Sequence, residues 1–356
     1  MVSGSAPFRQ RAARRVWHGC RALRGLDVRP RTRPGNHSVS ADALSHTARS
    51  DRMRYSTITI LGAPLDLGAS RRGVDMGPSA LRLASVNARL ESLGYAVEDL
   101  GNVPVAQQEN TPTGRENSKY LFQIANTCGV LAESVEKVLL EGKFPLVLGG
   151  DHSIAVGTVA GVSHAFQHRG QQIGVIWIDA HSDMNTPETS PSGNIHGMPL
   201  ACCIGEGPRE LTHLFEYAPK VQPKNVVLIG LRDVDLRERG QVRQSGVAAF
   251  TMRDIDERGL KGVMAEAIQL ATNETAGFHL SFDMDVLDPD EAPGVGTPVR
   301  GGVTYREAHL AMETICDSSG MLSMEVVEVN PVLDVANRTA LLAVELIMSA
   351  MGKKIL

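Results

Sequence analysis

The sequence predicts an α/β fold, a parallel sheet with helices packed on both faces. Three observations carry that expectation. Short apolar, β-branched runs alternate with longer helical patterns over most of the chain, the arrangement that feeds parallel strands through helical crossovers. Eight such runs can be counted. Five of them stay apolar for four to six residues and then turn polar, ending in GGDHS, DAHSD, LRDVD, FDMD and VEVN. In open α/β sheets ligands bind at the carboxyl edge of the strands, so these polar tips should converge on one functional rim.

In chain order, the first segment stands apart. Residues 1–50 hold ten Arg and no Lys, with Asp27 and Asp42 as their only acids, and no hydrophobic period persists. Such a stretch cannot bury enough apolar surface to fold alone. Residues 1–53 therefore read as a disordered Arg-rich extension, either a basic tail or upstream sequence ahead of a working start at Met53. A mitochondrial transit peptide has the same composition and stays open as an alternative. The first strand is STITILGAP (56–64), followed by a helical GPSALRLASVNARLESLG with Pro78 at a plausible helix start. AVEDLG (96–101) is the second strand, and a long helical segment near 117–141 leads into FPLVLGGDHS (144–153). Then come IGVIWIDAHSD (173–183), NVVLIGLRDVD (225–235), GVAAFTM (246–252), GFHLSFDMD (277–285) and MLSMEVVEVNP (321–331). The helical stretch 334–351 closes the domain as core packing.

Composition narrows the function. At 356 residues, with 42% hydrophobic and 21% charged side chains, the chain has the make-up of a soluble globular protein. A net charge of −4 lacks the basic excess of a nucleic-acid or anionic-membrane binder. No apolar run reaches the ~18 residues a membrane span needs. Five cysteines without C-x-x-C spacing fit a reducing compartment. That points to the cytoplasm, or to the mitochondrial matrix if the N-terminal segment is a transit peptide. The first strand turns through GAPLDLG, not through the G-x-G-x-x-G of a dinucleotide-binding site.

The chemistry concentrates at the strand tips. SFDMDVLDP (281–289) crowds Asp283, Asp285 and Asp288 onto the end of a buried strand, and buried carboxylates cost several kcal/mol each unless a cation compensates them. The predicted rim collects His152, Asp179, His181, Asp183, Asp283 and Asp285. In DAHSD and FDMD the candidates lie two apart, so on extended backbone they point to one side. Two imidazoles and four carboxylates exceed what one divalent ion needs and suit two ions sharing carboxylates. The oxygen-rich set favours Mn²⁺, with Fe, Co and Zn left open. Asp288, before Pro289, is expected to shape the loop, and Met284 to point back into the core.

The ordered motifs GGDHS, WIDAHSDMNT, SGNIHG, GLRDVD, SFDMDVLDP, GVGTPVRGG and VEVNP resemble those of arginases, in the ureohydrolase superfamily, over about residues 56–352. TSPSGNIHGMP and DPDEAPGVGTPVRGGVTYRE are similar to the bacterial type in particular. The resemblance implies a three-layer α/β/α fold with an eight-stranded, mainly parallel sheet, and a single catalytic domain over 54–356. It also implies hydrolysis of L-arginine to L-ornithine and urea by a hydroxide bridging two Mn²⁺ per subunit. His152, Asp179, Asp183 and Asp283 would hold one ion, and His181, Asp179, Asp283 and Asp285 the other, so that Asp179 and Asp283 bridge. Asp183 would also orient the hydroxide and pass its proton to the leaving amine. His196 matches the family's proton shuttle, against the plain reading of a helix-capping histidine. Glu328 matches the glutamate that pairs with the substrate guanidinium, for which a carboxylate has the complementary geometry. Glu325, three residues earlier and on the opposite strand face, is expected to be an ordinary charge. Thr297 either lines the guanidinium end or is a turn hydroxyl.

Metal motifs are shared across the superfamily, so the substrate must be read elsewhere. Asn185, Ser190, Ser192 and Asn194, in NTPETSPSGNIHG, match positions that recognise the α-carboxylate and α-amino group, and Asp235 matches the α-amino partner, with Asp233 supporting the pocket. Agmatinases and other guanidino-compound hydrolases lack this loop, which makes them the runner-up. A metal-bound, arginine-binding regulator without turnover is the alternative outside enzymes. The family forms trimers, and its bacterial members hexamers. The ending GKKIL, without an extended tail, resembles the bacterial form, so a homotrimer or homohexamer is expected.

Overall fold

The computed structural model describes residues 55–354; the extension assigned to residues 1–53 lies outside them. Ten strands occur among the described residues: β1 Thr57–Ala63, β2 Ala96–Asn102, β3 Gly114–Arg115, β4 Ser118–Lys119, β5 Phe144–Gly149, β6 Gly174–Ile178, β7 Val226–Leu231, β8 Ala248–Thr251, β9 Phe278–Asp283 and β10 Met321–Val327. Eight of them form one sheet in the order β2-β1-β5-β10-β9-β6-β7-β8, and every pairing in it is parallel. Each of the eight strand-like runs in the sequence contributes one strand to it.

The helices are α1 Gly77–Leu83, α2 Val86–Ser92, α3 Leu121–Leu140, α4 Ala155–Gln167, α5 Pro199–Cys203, α6 Arg209–Thr212, α7 Glu238–Ser245, α8 Met252–Arg258, α9 Leu260–Ala271, α10 Tyr305–Ser318 and α11 Arg338–Ala350. Alternating strand residues feed two separate cores, as the two-residue period of a strand requires. Ile176 and Ile178 of β6, with Val227 and Ile229 of β7, pack beside Leu81, Leu90, Met264, Met312 and Ile347. Val175 and Trp177, with Val226 and Leu228, pack on the other face beside Ile124, Leu131 and Val159. The result is helix, sheet, helix in three layers.

Two local expectations are corrected. The helical segment over GPSALRLASVNARLESLG is two helices, because Ser85 takes a left-handed φ of 65° between them. The long helix begins at Leu121, after the β3–β4 hairpin, not near residue 117. Ser118 and Lys119 pair with 114–115, and the Lys119 N–H donates to the Gly193 carbonyl at 2.9 Å, so long-range bonds take the backbone from the helix.

The fold places the site through the central strands. β5, β10, β9, β6 and β7 are consecutive neighbours, and they are the five that end in polar tips. Packing at the β5 tip explains the second glycine of GGDHS: a Cβ on Gly150 would lie 1.9 Å from the Leu65 carbonyl oxygen. Only glycine lets the two chains pass there.

Candidate active site

His152, just past β5, is fixed on three sides. Its N–H donates to Glu328 Oε1 at 2.9 Å, its Nε2 lies 2.7 Å from Ser281 Oγ, and its ring stacks on Trp177 at 4.1 Å. The remaining atom, Nδ1, faces Asp183 Oδ2 at 3.0 Å, Asp283 Oδ2 at 3.1 Å and Asp179 Oδ2 at 3.2 Å. Although crowded by carboxylates, this buried nitrogen makes no hydrogen bond. Beside it, His181 Nδ1 lies 3.0 Å from Asp285 Oδ2 and 3.5 Å from Asp179 Oδ1. Asp179 thus presents one oxygen to each histidine.

Asp283 and Asp179 each accept the N–H two residues on through Oδ1, from Asp285 and His181, both at 2.7 Å. Each turns Oδ2 to His152, but only the Asp179 Oδ1 also faces a second imidazole. The structure thus sets Asp283 against the His152 ring, while Asp179 is the carboxylate that spans both histidines. Asp285 accepts the Ala180 N–H through Oδ1 and the Thr297 hydroxyl through Oδ2, at 3.3 and 2.8 Å. Thr297 supports a carboxylate of the cluster and lines the cavity.

Electrostatics in this cluster is that of negative charge short of a counter-ion. Burial, then repulsion from Asp179, pushes the Asp183 carboxyl up to about 7. Burial and the charges of Asp285 and Asp179 drive Asp283 well above the carboxylate range. Burial opposes the charge on Asp179, but its contacts with His152 and His181 outweigh it and hold the group below its usual range. Burial likewise opposes protonation of His152, yet the three carboxylates around it raise it well above ordinary imidazole. The donor set, four carboxylates and two imidazoles with an orphaned Nδ1 at the focus, fits divalent cations.

At the cavity wall, His196 sits in a short 3₁₀ turn, Ile195–Gly197, with Nδ1 3.1 Å from Glu328 Oε1. Burial works against its proton, but the bond to Glu328 prevails and pushes the ring up to about 9. That pairing is far from the helix cap considered for it. Glu328 shares Oε1 between His196 and the His152 N–H, while its buried Oε2 has no partner. Glu328 and Asp183 both adopt left-handed backbone, at φ 63° and 51°. Non-glycine residues pay about 1–3 kcal/mol for that conformation, and such strain gathers at functional positions. The Asp183 carbonyl is held by the N–H groups of Leu200 and Ala201 at the start of α5.

The same cavity is lined by Asn185, Ser190, Ser192, Asn194, Asp233 and Asp235. Asn185 Nδ2 donates to Asp235 Oδ2 at 3.0 Å, and the Ser190 hydroxyl accepts the Gly193 N–H at 3.0 Å. Asn194 donates to Ser70 Oγ at 2.6 Å. The loop is thus set by hydrogen bonds within itself and to Asp235 and Ser70. Against this geometry, the model of the arginase family matches residues 56–352.

The chain belongs to the arginase family. It is 51% identical over 300 residues to the arginase of Bacillus caldovelox, covering 84% of this chain and 99% of that one. The solved Bacillus caldovelox arginase aligns with a TM-score of 0.81 at 50% identity, over 85% of this chain and all of that one. Entamoeba histolytica arginase, solved in complex with L-ornithine, aligns at 0.76 with 33% identity, over 85% and all of the respective chains. Membership of the arginase family implies a binuclear metal centre, and the His152 and His181 clusters are the candidates for its two positions.

Several residues that shape this arginase-family site carry little sequence signal. Glu238, near the start of α7, lines the cavity and accepts the N–H groups of Met184 at 2.8 Å and Asp235 at 3.3 Å. Its only signal is a spacing of three from Asp235. Arg232 donates to the carbonyls of Asp285, Val286, Leu287 and Val299 and so pins the loop after β9. Lys119, on the β4 strand, reaches Asn194 Oδ1 at 3.3 Å. Glu325 is not the ordinary charge expected of it. It is fully buried, accepts the Ser281 hydroxyl at 2.7 Å and lies 3.3 Å from His279 Nε2. Through Ser281 it braces His152. Asp288 has the loop role expected of it, accepting the N–H groups of Asp290, Gly301 and Gly302, and Met284 is buried in the core.

Proposed function

We propose that this chain is an arginase, hydrolysing L-arginine to L-ornithine and urea. The observation that carries the reading is one cavity lined both by the carboxylate–imidazole cluster and by a hydroxyl- and amide-rich loop. His152, Asp179, Asp183 and Asp283 would hold one Mn²⁺, and His181, Asp179, Asp283 and Asp285 the other. The chemistry such a pair supplies when bound is the acidification of water near neutral pH.

The protein's own groups do the rest. Glu328 offers its unpartnered Oε2 to the substrate guanidinium, a charge-assisted pairing in a buried site. Asp183, whose Oδ2 lies 3.0 Å from His152 Nδ1, orients the attacking water, takes its proton and passes it to the departing amine of ornithine. His196 exchanges protons between the cavity and solvent. A guanidinium at Glu328 competes with His196 for the same carboxylate and repels the imidazole proton, which eases its release. Asn185, Ser190, Ser192 and Asn194 bind the α-carboxylate and α-amino end, with Asp235 facing the ammonium, and Thr297 keeps Asp285 oriented at the guanidinium end.

The deciding experiment is urea release after Mn²⁺ loading. A site built to hydrogen-bond a polar group rejects analogues lacking it by ~10⁴, so L-arginine should be hydrolysed far faster than agmatine. Equal rates would overturn the specificity and point to an agmatinase; binding of arginine without urea would point to a regulator. The same reading has the protein in the cytoplasm as a homotrimer or homohexamer, supported by the family resemblance and readable by light scattering. No helix among the described residues is long and apolar enough to cross a membrane.

A further inference from the structure

We propose that Glu136, His164 and His168 form a second metal site, for a borderline divalent ion of the Zn²⁺ class, outside the dinuclear centre. His164 lies in α4, and His168 follows its last residue as the C-cap. They are four apart in HAFQH, the spacing that puts two imidazoles on one face of a helix to hold Zn²⁺. Glu136 comes from α3, which packs along α4. Its Oε1 lies 2.8 Å from His164 Nδ1 and 3.1 Å from His168 Nε2. The three ligand atoms are all within 4.8 Å of one another.

Glu136 Oε1 is hydrogen-bonded to His168 Nε2 at 3.1 Å, but that bond does not account for His164. His164 Nδ1 is buried and makes no hydrogen bond although it lies 2.8 Å from a carboxylate oxygen. His152 Nδ1 in the dinuclear cluster is orphaned in the same way, as is His279 Nε2 beside Glu325. What His164 shares with His152, and His279 lacks, is membership of a group of three converging metal-ligating side chains. A shared cation would satisfy both the nitrogen and the carboxylate oxygen. A second observation is independent of the distances. The Phe215 ring stacks on His164 at 4.0 Å and 11°, fixing the imidazole plane. Phe215 and Glu216 reach that position through successive left-handed backbone, φ 56° and 61°, a strained arrangement of the kind found at ligand clamps.

The donor chemistry separates this site from the first. Two imidazoles and one carboxylate suit Zn²⁺, Cu²⁺ or Ni²⁺, whereas oxygen-rich sets suit Mn²⁺. His168, whose side chain is 54% exposed, gives solvent access and leaves a fourth position for water. An ion here would cross-link α3 to the end of α4 and hold the Phe215 segment against them, without touching the catalytic cavity.

Equilibrium dialysis of the Mn²⁺-loaded full chain against Zn²⁺ alone tests this, comparing the native sequence with His168→Ala and Glu136→Gln. Zinc that displaces manganese is common to all three proteins, so the difference between them reports the second site. The native chain should retain one more zinc ion than either variant, whose affinity for that ion should fall by at least about tenfold, as even outer-shell losses do. Electron paramagnetic resonance of the Cu²⁺-loaded site should show two imidazole nitrogens, reduced to one in His168→Ala. Urea release by the Mn²⁺-loaded variants should be unchanged, which shows that they fold. Equal zinc content in native and His168→Ala protein overturns the proposal.

Discussion

Single side chains at the strand tips are held by partners that lie far away in sequence. His152 is oriented through Ser281 by Glu325, 129 and 44 residues apart respectively. Removing the middle member leaves two buried polar groups unpaired. Ser281→Ala should therefore cost about 1–3 kcal/mol in stability and weaken Mn²⁺ binding by about 10–100-fold, read by denaturant unfolding and metal titration. A variant that keeps full metal affinity would show that the brace is not needed. Glu328→Gln keeps the shape but removes the charge facing the cavity. A hydrogen bond to a charged group contributes about 1.5–3 kcal/mol, so kcat/KM for L-arginine should drop by about 10–100-fold in a urea-release assay. An unchanged value would remove Glu328 from guanidinium binding.

Elements deliver these residues by ending where they do. β5, β6, β7, β9 and β10 stop at the same rim, and the loop 185–197 closes the cavity above them. Gly193 decides the path of that loop. Its φ is 70°, and a Cβ there would lie 1.9 Å from the Glu116 carbonyl oxygen. Gly193→Ala should displace the loop while leaving the strand tips intact, raising KM for L-arginine several-fold with a smaller change in kcat; an unaltered KM would argue that the loop does not bind substrate. The strands were legible because their apolar runs are β-branched and their ends carry the acids and histidines. The β3–β4 hairpin was not, since two-residue strands have no period to read. The break at Ser85 was equally hidden, because a left-handed serine carries no sequence signature.

For the whole molecule, the cluster of buried carboxylates sets a stability that depends on metal. Anything that binds the folded state alone stabilises it by mass action, by about 2.7 kcal/mol at a hundred times Kd. Chelation should lower the melting temperature, and Mn²⁺ should restore it, as followed by calorimetry. A chain beginning at Met53 should share both the melting temperature and the activity of the full chain, since the family match spans 56–352. Loss of either would assign residues 1–52 a part in folding or catalysis.

The sequence by itself determined the sheet, the rim and the six candidate ligands, because period and residue type are local properties that survive without coordinates. Partnership was decided only by the tertiary structure. Glu325 became a brace for His152, Glu238 a hub for Met184 and Asp235, and Asp179 the carboxylate spanning both histidines. Glu136 likewise met His164 and His168 only through the packing of α3 on α4. Each of these depends on which strands and helices become neighbours, and long-range adjacency is set by packing the two cores on opposite faces of one sheet.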